Sequence, residues 1–312
     1  MKKILLSLLL TSLLYAKAPE EEKSEYAYEP IFAGTLLAFI PNNIPPGQCL
    51  FEPYFFAGTV NGVYNSEWEN KHLFKYFESQ LLLEVETGIT PWLDITLAID
   101  ESYTVSKGRK SLHYADTKLS LGFQITTGHP NSATPDFRIL LLESFPTGKY
   151  QHLDPKKNFA DITGSGAFET WIIAVIRKVI YLTPRQVVSL NLNLGYDFPS
   201  SVHVKGFSLY GGDAHANGSV LPGQQFFANL GLEYSLTTHW ILGLDVHYMH
   251  QNTSHSNHPT IHLPSSEEFS LAPCIEYNPN IHFSLEAGAW FSIAGRNSLA
   301  FTVGVLTVAW LF

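Results

Sequence analysis

The chain is poor in three things, and each shortage excludes a class of protein. It has two cysteines, Cys49 and Cys274, in 312 residues, too few for a disulfide-stapled scaffold or a paired-cysteine zinc site. No segment has the roughly 20 uninterrupted apolar residues that a membrane helix needs. Basic residues are outnumbered, with 19 Lys and Arg against 28 Asp and Glu for a net charge of −9. A chain of that sign does not seek nucleic acid or anionic head groups by charge. Glycine-rich phosphate loops are missing too.

What is present is apolar and aromatic. Apolar residues make up 45% and aromatics 13% of the chain, with 15 Tyr and 21 Phe. A membrane protein of this composition has to be a barrel, because only helices and closed barrels satisfy every backbone hydrogen bond inside lipid. Residues 1–18 read as an export signal. Lys2 and Lys3 form the positive start, Ile4 to Leu14 the apolar stretch, and Ala16-Lys17-Ala18 the small-residue cleavage region. Pro19 is a poor residue to cleave before, so processing after Ala16 and after Ala18 both stand. Removal of this segment takes three lysines and leaves a more acidic chain.

From residue 50 onward the hydropathy alternates with period two, broken by Gly, Pro, Asn, Asp and Ser. Twelve strands are predicted, near residues 52–64, 72–87, 92–104, 113–127, 136–146, 167–181, 187–198, 224–236, 239–250, 268–277, 281–293 and 299–312. Val188, Leu190, Leu192, Leu194 and Tyr196 share one face of the seventh, opposite Ser189, Asn191, Asn193, Gly195 and Asp197. One face suits lipid and the other water. Connections after even-numbered strands are mostly tight, whereas those at 147–166, 199–223 and 251–267 are long and polar. Sorting of loops by parity is the mark of an up-and-down transmembrane β-barrel with both termini on one side. WIIAVIRKVIYL is apolar on both faces and would also suit a helix, so ten and fourteen strands are the alternatives. Residues 19–50 form a separate leader, periplasmic or tucked into the lumen as a partial plug.

The last strand ends in Trp310 and the terminal Phe312, which resembles the assembly signal of bacterial outer-membrane barrels. The expected partners are therefore outer-membrane lipid, the barrel-assembly machinery of a Gram-negative cell, and small solutes, with no nucleic acid and no cofactor.

Parity also sorts the charges. Glu78, Glu84, Glu86, Asp116, Lys118, Asp197, Glu233, Asp245, Glu268, Glu276 and Glu286 are predicted to line the lumen, as are Asp94 and Asp100. That acidic excess would favour cations in a water-filled bore. Cys274 faces inward near a tight turn and Cys49 lies just before the first strand. A disulfide between them, which needs α-carbons roughly 4.4 to 6.8 Å apart, would draw the leader across part of the lumen. Two free thiols are the alternative. His247, His250, His255, His258 and His262 form the densest chemical run, a weak nitrogen-ligand candidate for a metal set against the plain reading of a solvated loop. Ser254-His255 and Ser256–His258 are serine–histidine pairs in that loop that a barrel hydrolase would need, and neither has an identifiable third group.

Several segments carry a family resemblance: PPGQCLFEPYFFAG (45–58), EVETGITPWLDITL (84–97), DTKLSLGFQ (116–124), ESFPTGK (143–149), NLNLGYDF (191–198) and GLEYSLTTHWILGLD (231–245). With these the chain resembles the outer-membrane barrel family named for the meta pathway of phenol degradation (MetA type), generally regarded as transporters. The resemblance implies a barrel fold, an outer-membrane location and porin-like transport of apolar substrates, and it brings no catalytic motif. The sequence thus supports a channel or transporter for small solutes, preferring cations on charge grounds or apolar molecules on the family's, and not an enzyme. The alternatives are a structural surface protein and, further off, a barrel hydrolase.

Overall fold

The alternating segments form strands that close on themselves. The computed structural model describes residues 28–72, 75–129, 133–157 and 160–312. The export signal and the charged start of the leader lie outside the described residues. In chain order the strands are β1 (Cys49–Tyr64), β2 (Asn70–Lys71), β3 (Tyr76–Thr90), β4 (Leu93–Ser106), β5 (Arg109–Tyr114), β6 (Thr117–Thr126), β7 (Asp136–Phe145), β8 (Glu169–Thr183) and β9 (Gln186–Pro199). They continue with β10 (Val202–Lys205), β11 (Asn217–Leu221), β12 (Gln225–Ser235), β13 (Trp240–Gln251), β14 (His255–Ser256), β15 (Ser266–Asn280), β16 (Phe283–Arg296) and β17 (Ser298–Leu311).

Twelve of these, β1, β3, β4, β6 to β9, β12, β13 and β15 to β17, pair antiparallel in sequence order, and β17 closes on β1. The twelve-stranded reading is the observed one. At the seam Tyr54 faces Thr307 and Gly58 faces Val303, and the Cys49 N–H donates to the Phe312 carbonyl (2.8 Å) while the Phe312 N–H donates to the Cys49 carbonyl (2.9 Å). The fourth predicted strand is split. Ala115 and Asp116 bulge out between β5 and β6, which frees Asp116 to turn towards a loop.

The outer surface is the lipid-facing one. Phe55, Leu81, Val85, Leu97, Leu141, Ile172, Leu242, Ile275 and Leu306 are all exposed there, an apolar belt that only a bilayer would cover. Aromatics gather at its edges. Trp240 packs at a tilt against Tyr277 at the short-turn end, and Tyr248 against Phe269 at the other. The inner face holds the polar parity set, with Ser189, Asn191, Asn193 and Asp197 all buried.

β8, which the sequence left between strand and helix, is a barrel strand. It is apolar on both sides because Ile173 and Val175 point inward into a lumen core with Leu140, Leu142 and Phe227, against which Phe39 and Trp171 pack. That explains the weak alternation of β7 as well, since Leu140 and Leu142 are its inward residues.

Further structure lies at each end of the barrel. At the long-loop end, β10, β11 and β14 make a separate three-stranded sheet, packed through Val202, Val204, Tyr210, Ala216, Val220 and Ile261 with Ala167. Burial pushes the Tyr210 hydroxyl well above its usual range, and it donates to the Ser165 carbonyl (2.7 Å). These strands fall where the sequence shows only polar loops, because two to five residues are too few to display a period. At the short-turn end, residues 31–44 enter the barrel.

Candidate functional site in the barrel lumen

The segment within the lumen has no regular structure, so its backbone groups must find partners elsewhere. The barrel wall supplies them. Glu276 accepts from the Ala33 N–H (3.3 Å), Glu233 from Gly34 (3.1 Å), and Asp245 from both the Thr35 hydroxyl (2.6 Å) and the Leu37 N–H (3.2 Å). Asn193 accepts from the Phe39 N–H (2.8 Å), and Asn191 donates to the Phe39 carbonyl (2.9 Å). Arg138 donates to the Ile40 carbonyl (2.8 Å), and Asp94 accepts from Ile44 (3.3 Å). Two glycines make room. A β-carbon on Gly231 would lie 2.5 Å from the Thr35 hydroxyl oxygen, and one on Gly243 would meet the Cys274 sulfur and come within 3.2 Å of Thr35.

The parity-predicted residues therefore occupy several settings. Glu233, Asp245 and Glu276 hold the plug. Glu86 and Asp94 share the buried Arg138 guanidinium at 2.9 and 2.6 Å. Asp116 is committed to loop 147–166, accepting from the Gly148 (2.8 Å) and Ser165 (2.7 Å) N–H groups. Asp197 accepts from the Gln225 N–H, Asp100 from the Gln80 amide, and Glu78 from the Ser102 hydroxyl (2.8 Å). Glu268 sits half-buried near the long-loop end of β15, and Glu286 is buried beside a small cavity under the plug. Glu84 and Lys118 line a cavity in the lumen.

That cavity measures about 240 Å³. Leu36, Phe39, Tyr54, Phe56, Leu82, Leu140 and Leu142 form most of its wall, with Glu52, Glu84 and Lys118 among them. A second cavity of about 170 Å³ lies nearer the long-loop end, between Trp290, Phe301, Val303 and Leu299. Phe56 lines both. Glu52 was missed by the sequence reading because CLFEPYFF shows no clear alternation there, although its even number matches the inward Tyr54 and Phe56.

The structure also places the cysteines and the histidines. Cys49 and Cys274 are both free thiols. Cys274 is buried on β15 against Leu36, while Cys49 begins β1, and β16 and β17 stand between those strands. Residues 31–44 occupy part of the lumen all the same, through hydrogen bonds rather than a bridge. The histidines do not converge. His247 is half-buried in the lumen stacked on Phe227, His250 lies 3.8 Å from Glu267, His258 is half-buried in the loop, and His255 and His262 are exposed. No three His, Cys, Asp or Glu among the described residues come together to hold a metal ion. In the serine pairs, Ser254 Oγ bonds to the Leu263 backbone and Ser256 Oγ donates to the Ser219 carbonyl, so neither hydroxyl is spent on an imidazole.

A closed twelve-stranded barrel with an apolar outer belt and aromatic edges is an outer-membrane β-barrel. The chain belongs to the family described as "Putative MetA-pathway of phenol degradation", whose sequence profile matches residues 54–306. Among solved structures it is similar to the COG4313 outer membrane channel from Pseudomonas putida F1, with a TM-score of 0.69 at 13% identity, over 87% of this chain and 97% of that one. A looser overlap is with the Ralstonia pickettii toluene transporter TbuX, with a TM-score of 0.39 at 9% identity, over 86% of this chain and 90% of the other. No curated protein matches the sequence.

Proposed function

We propose that the protein admits small, largely apolar solutes across the outer membrane, through the two cavities that meet at Phe56. The observation that carries this reading is the lining. Aromatic and aliphatic side chains form most of both cavities, and several carboxylates expected to attract cations are instead occupied by the plug or by Arg138. Carboxylates spent on backbone N–H groups or on Arg138 are not left to draw a stream of hydrated cations. Size sets an upper limit on the solute, since a dry cavity of about 150 Å³ accommodates benzene. The larger cavity takes one ring with a short substituent. The plug separates this space from the short-turn mouth, which on this reading faces the periplasm, so passage requires it to move.

The test is uptake. Gram-negative cells expressing the chain should take up a labelled monocyclic aromatic solute several-fold faster than cells without it, and Phe56→Trp, which crowds the junction of the cavities, should remove most of the gain. Equal initial rates with and without the protein would refute the proposal.

A further inference from the structure

Within the apolar wall of the larger cavity, one feature is energetically out of place. Glu52 on β1 and Glu84 on β3 are direct cross-strand partners, and both line the cavity. Opposed residues of an antiparallel pair have β-carbons about 5 Å apart, and like charges placed so are destabilising. Glu52 is 8% exposed. Neither carboxylate forms a hydrogen bond or ion pair with a described residue, in contrast to Glu86 two residues further along β3, which has Arg138. A cation that shares their cavity is Lys118, whose charge acts on Glu84 from across β4 without forming an ion pair. Glu84 faces Ala98 on β4, and Ala98 faces Lys118 on β6. Lys118 makes no ion pair with any described residue.

A pair of opposed carboxylates, one buried and the other half-buried and neither hydrogen-bonded, persists only where something compensates for it. A metal ion fits poorly. No third His, Cys, Asp or Glu joins the pair into a site able to hold one, and its water shell would be stripped against Leu82, Leu140 and Leu142. An organic ammonium group carries its own apolar body, and its three N–H donors can reach both carboxylates at once. We infer that Glu52 and Glu84 form the head-group site for a small primary amine whose aromatic or aliphatic body lies in the 240 Å³ cavity between Phe56, Leu82 and Leu140. Lys118, on the far side of Ala98, disfavours a second positive charge on the ligand and so restricts the site to monoamines. This rests on the proposed passage of apolar solutes and names the class of solute that is held on the way.

The experiment uses the full-length barrel in detergent, with benzylammonium, benzyl alcohol and benzoate titrated calorimetrically. These share a ring and differ in the charge of the head. Benzylammonium should bind at least tenfold more tightly than benzyl alcohol, with benzoate weakest, since a charge-assisted hydrogen bond to a buried group is worth about that factor or more. Glu52→Gln with Glu84→Gln should abolish the preference for the amine and leave benzyl alcohol binding unchanged. Heat-modifiable migration on gels reports that this variant is folded. Lys118→Gln should tighten benzylammonium several-fold. Equal binding of amine and alcohol, with the double variant altering neither, would overturn the amine site while leaving cellular uptake, the test of passage, untouched. Loss of uptake with amine binding intact would instead remove the transport reading and keep the site.

Discussion

Replacing Asp245 by alanine should unseat the plug without breaking the barrel. Its carboxylate accepts from the Thr35 hydroxyl at 2.6 Å, the Leu37 N–H at 3.2 Å and the Asn229 amide at 2.7 Å, and it is fully buried. Two of the three bonds hold the plug, and a hydrogen bond to a charged group contributes about 1.5–3 kcal/mol net. Taking the low end for each, because water in a vacated lumen would satisfy part of the loss, the docked state is weakened by about 3 kcal/mol. This shifts the balance of docked and undocked plug by about a hundredfold. Cys274 supplies the readout. It is buried against Leu36 of the plug, and Cys49 is the only other cysteine, so in a Cys49→Ser background a small maleimide reports plug displacement directly. Asp245→Ala should raise the labelling rate by one to two orders of magnitude and give larger, more frequent openings in planar bilayers. Labelling and conductance unchanged from the parent, in a barrel that still migrates as folded, would show that these bonds do not hold the plug.

Gly231→Leu should have the same effect by a steric route, since its side chain would enter the space of the Thr35 hydroxyl 2.5 Å away; normal conductance would refute the seat. Arg138→Met leaves Glu86 and Asp94 buried without their counter-charge, a loss of about 3–5 kcal/mol, to be read as a lower midpoint of heat-modifiability. Deleting Phe312 removes the residue that exchanges both backbone bonds with Cys49 at the seam, so membrane-inserted protein should fall in a fractionation assay, and unchanged insertion would count against its role in closure.

The strand set was legible because a strand's two faces meet different solvents. Val188 to Tyr196 alternates cleanly, and its inward Asn191 and Asn193 are buried where parity put them. Loop lengths carried the rest of the topology, apart from the tight Lys107-Gly108 turn and the single-residue Asn297 connection, where positive φ values replace length. Where the inward face met protein instead of water the period failed, as in β8, because Ile173 and Val175 pack against the core that Phe39 joins.

Alternation determined the fold and the membrane, since both depend only on which side of a strand each residue takes. The fate of the lumen charges depended on contacts between residues up to 243 apart, such as Ala33 with Glu276, and no local pattern encodes these. Parity places Glu84, Asp245 and Glu276 alike on the inner face. Only the tertiary structure shows that Asp245 and Glu276 bind the plug while Glu52 and Glu84 are left unpaired in a cavity, because the path of residues 31–44 is fixed by hydrogen bonds and fit rather than by any period of its own.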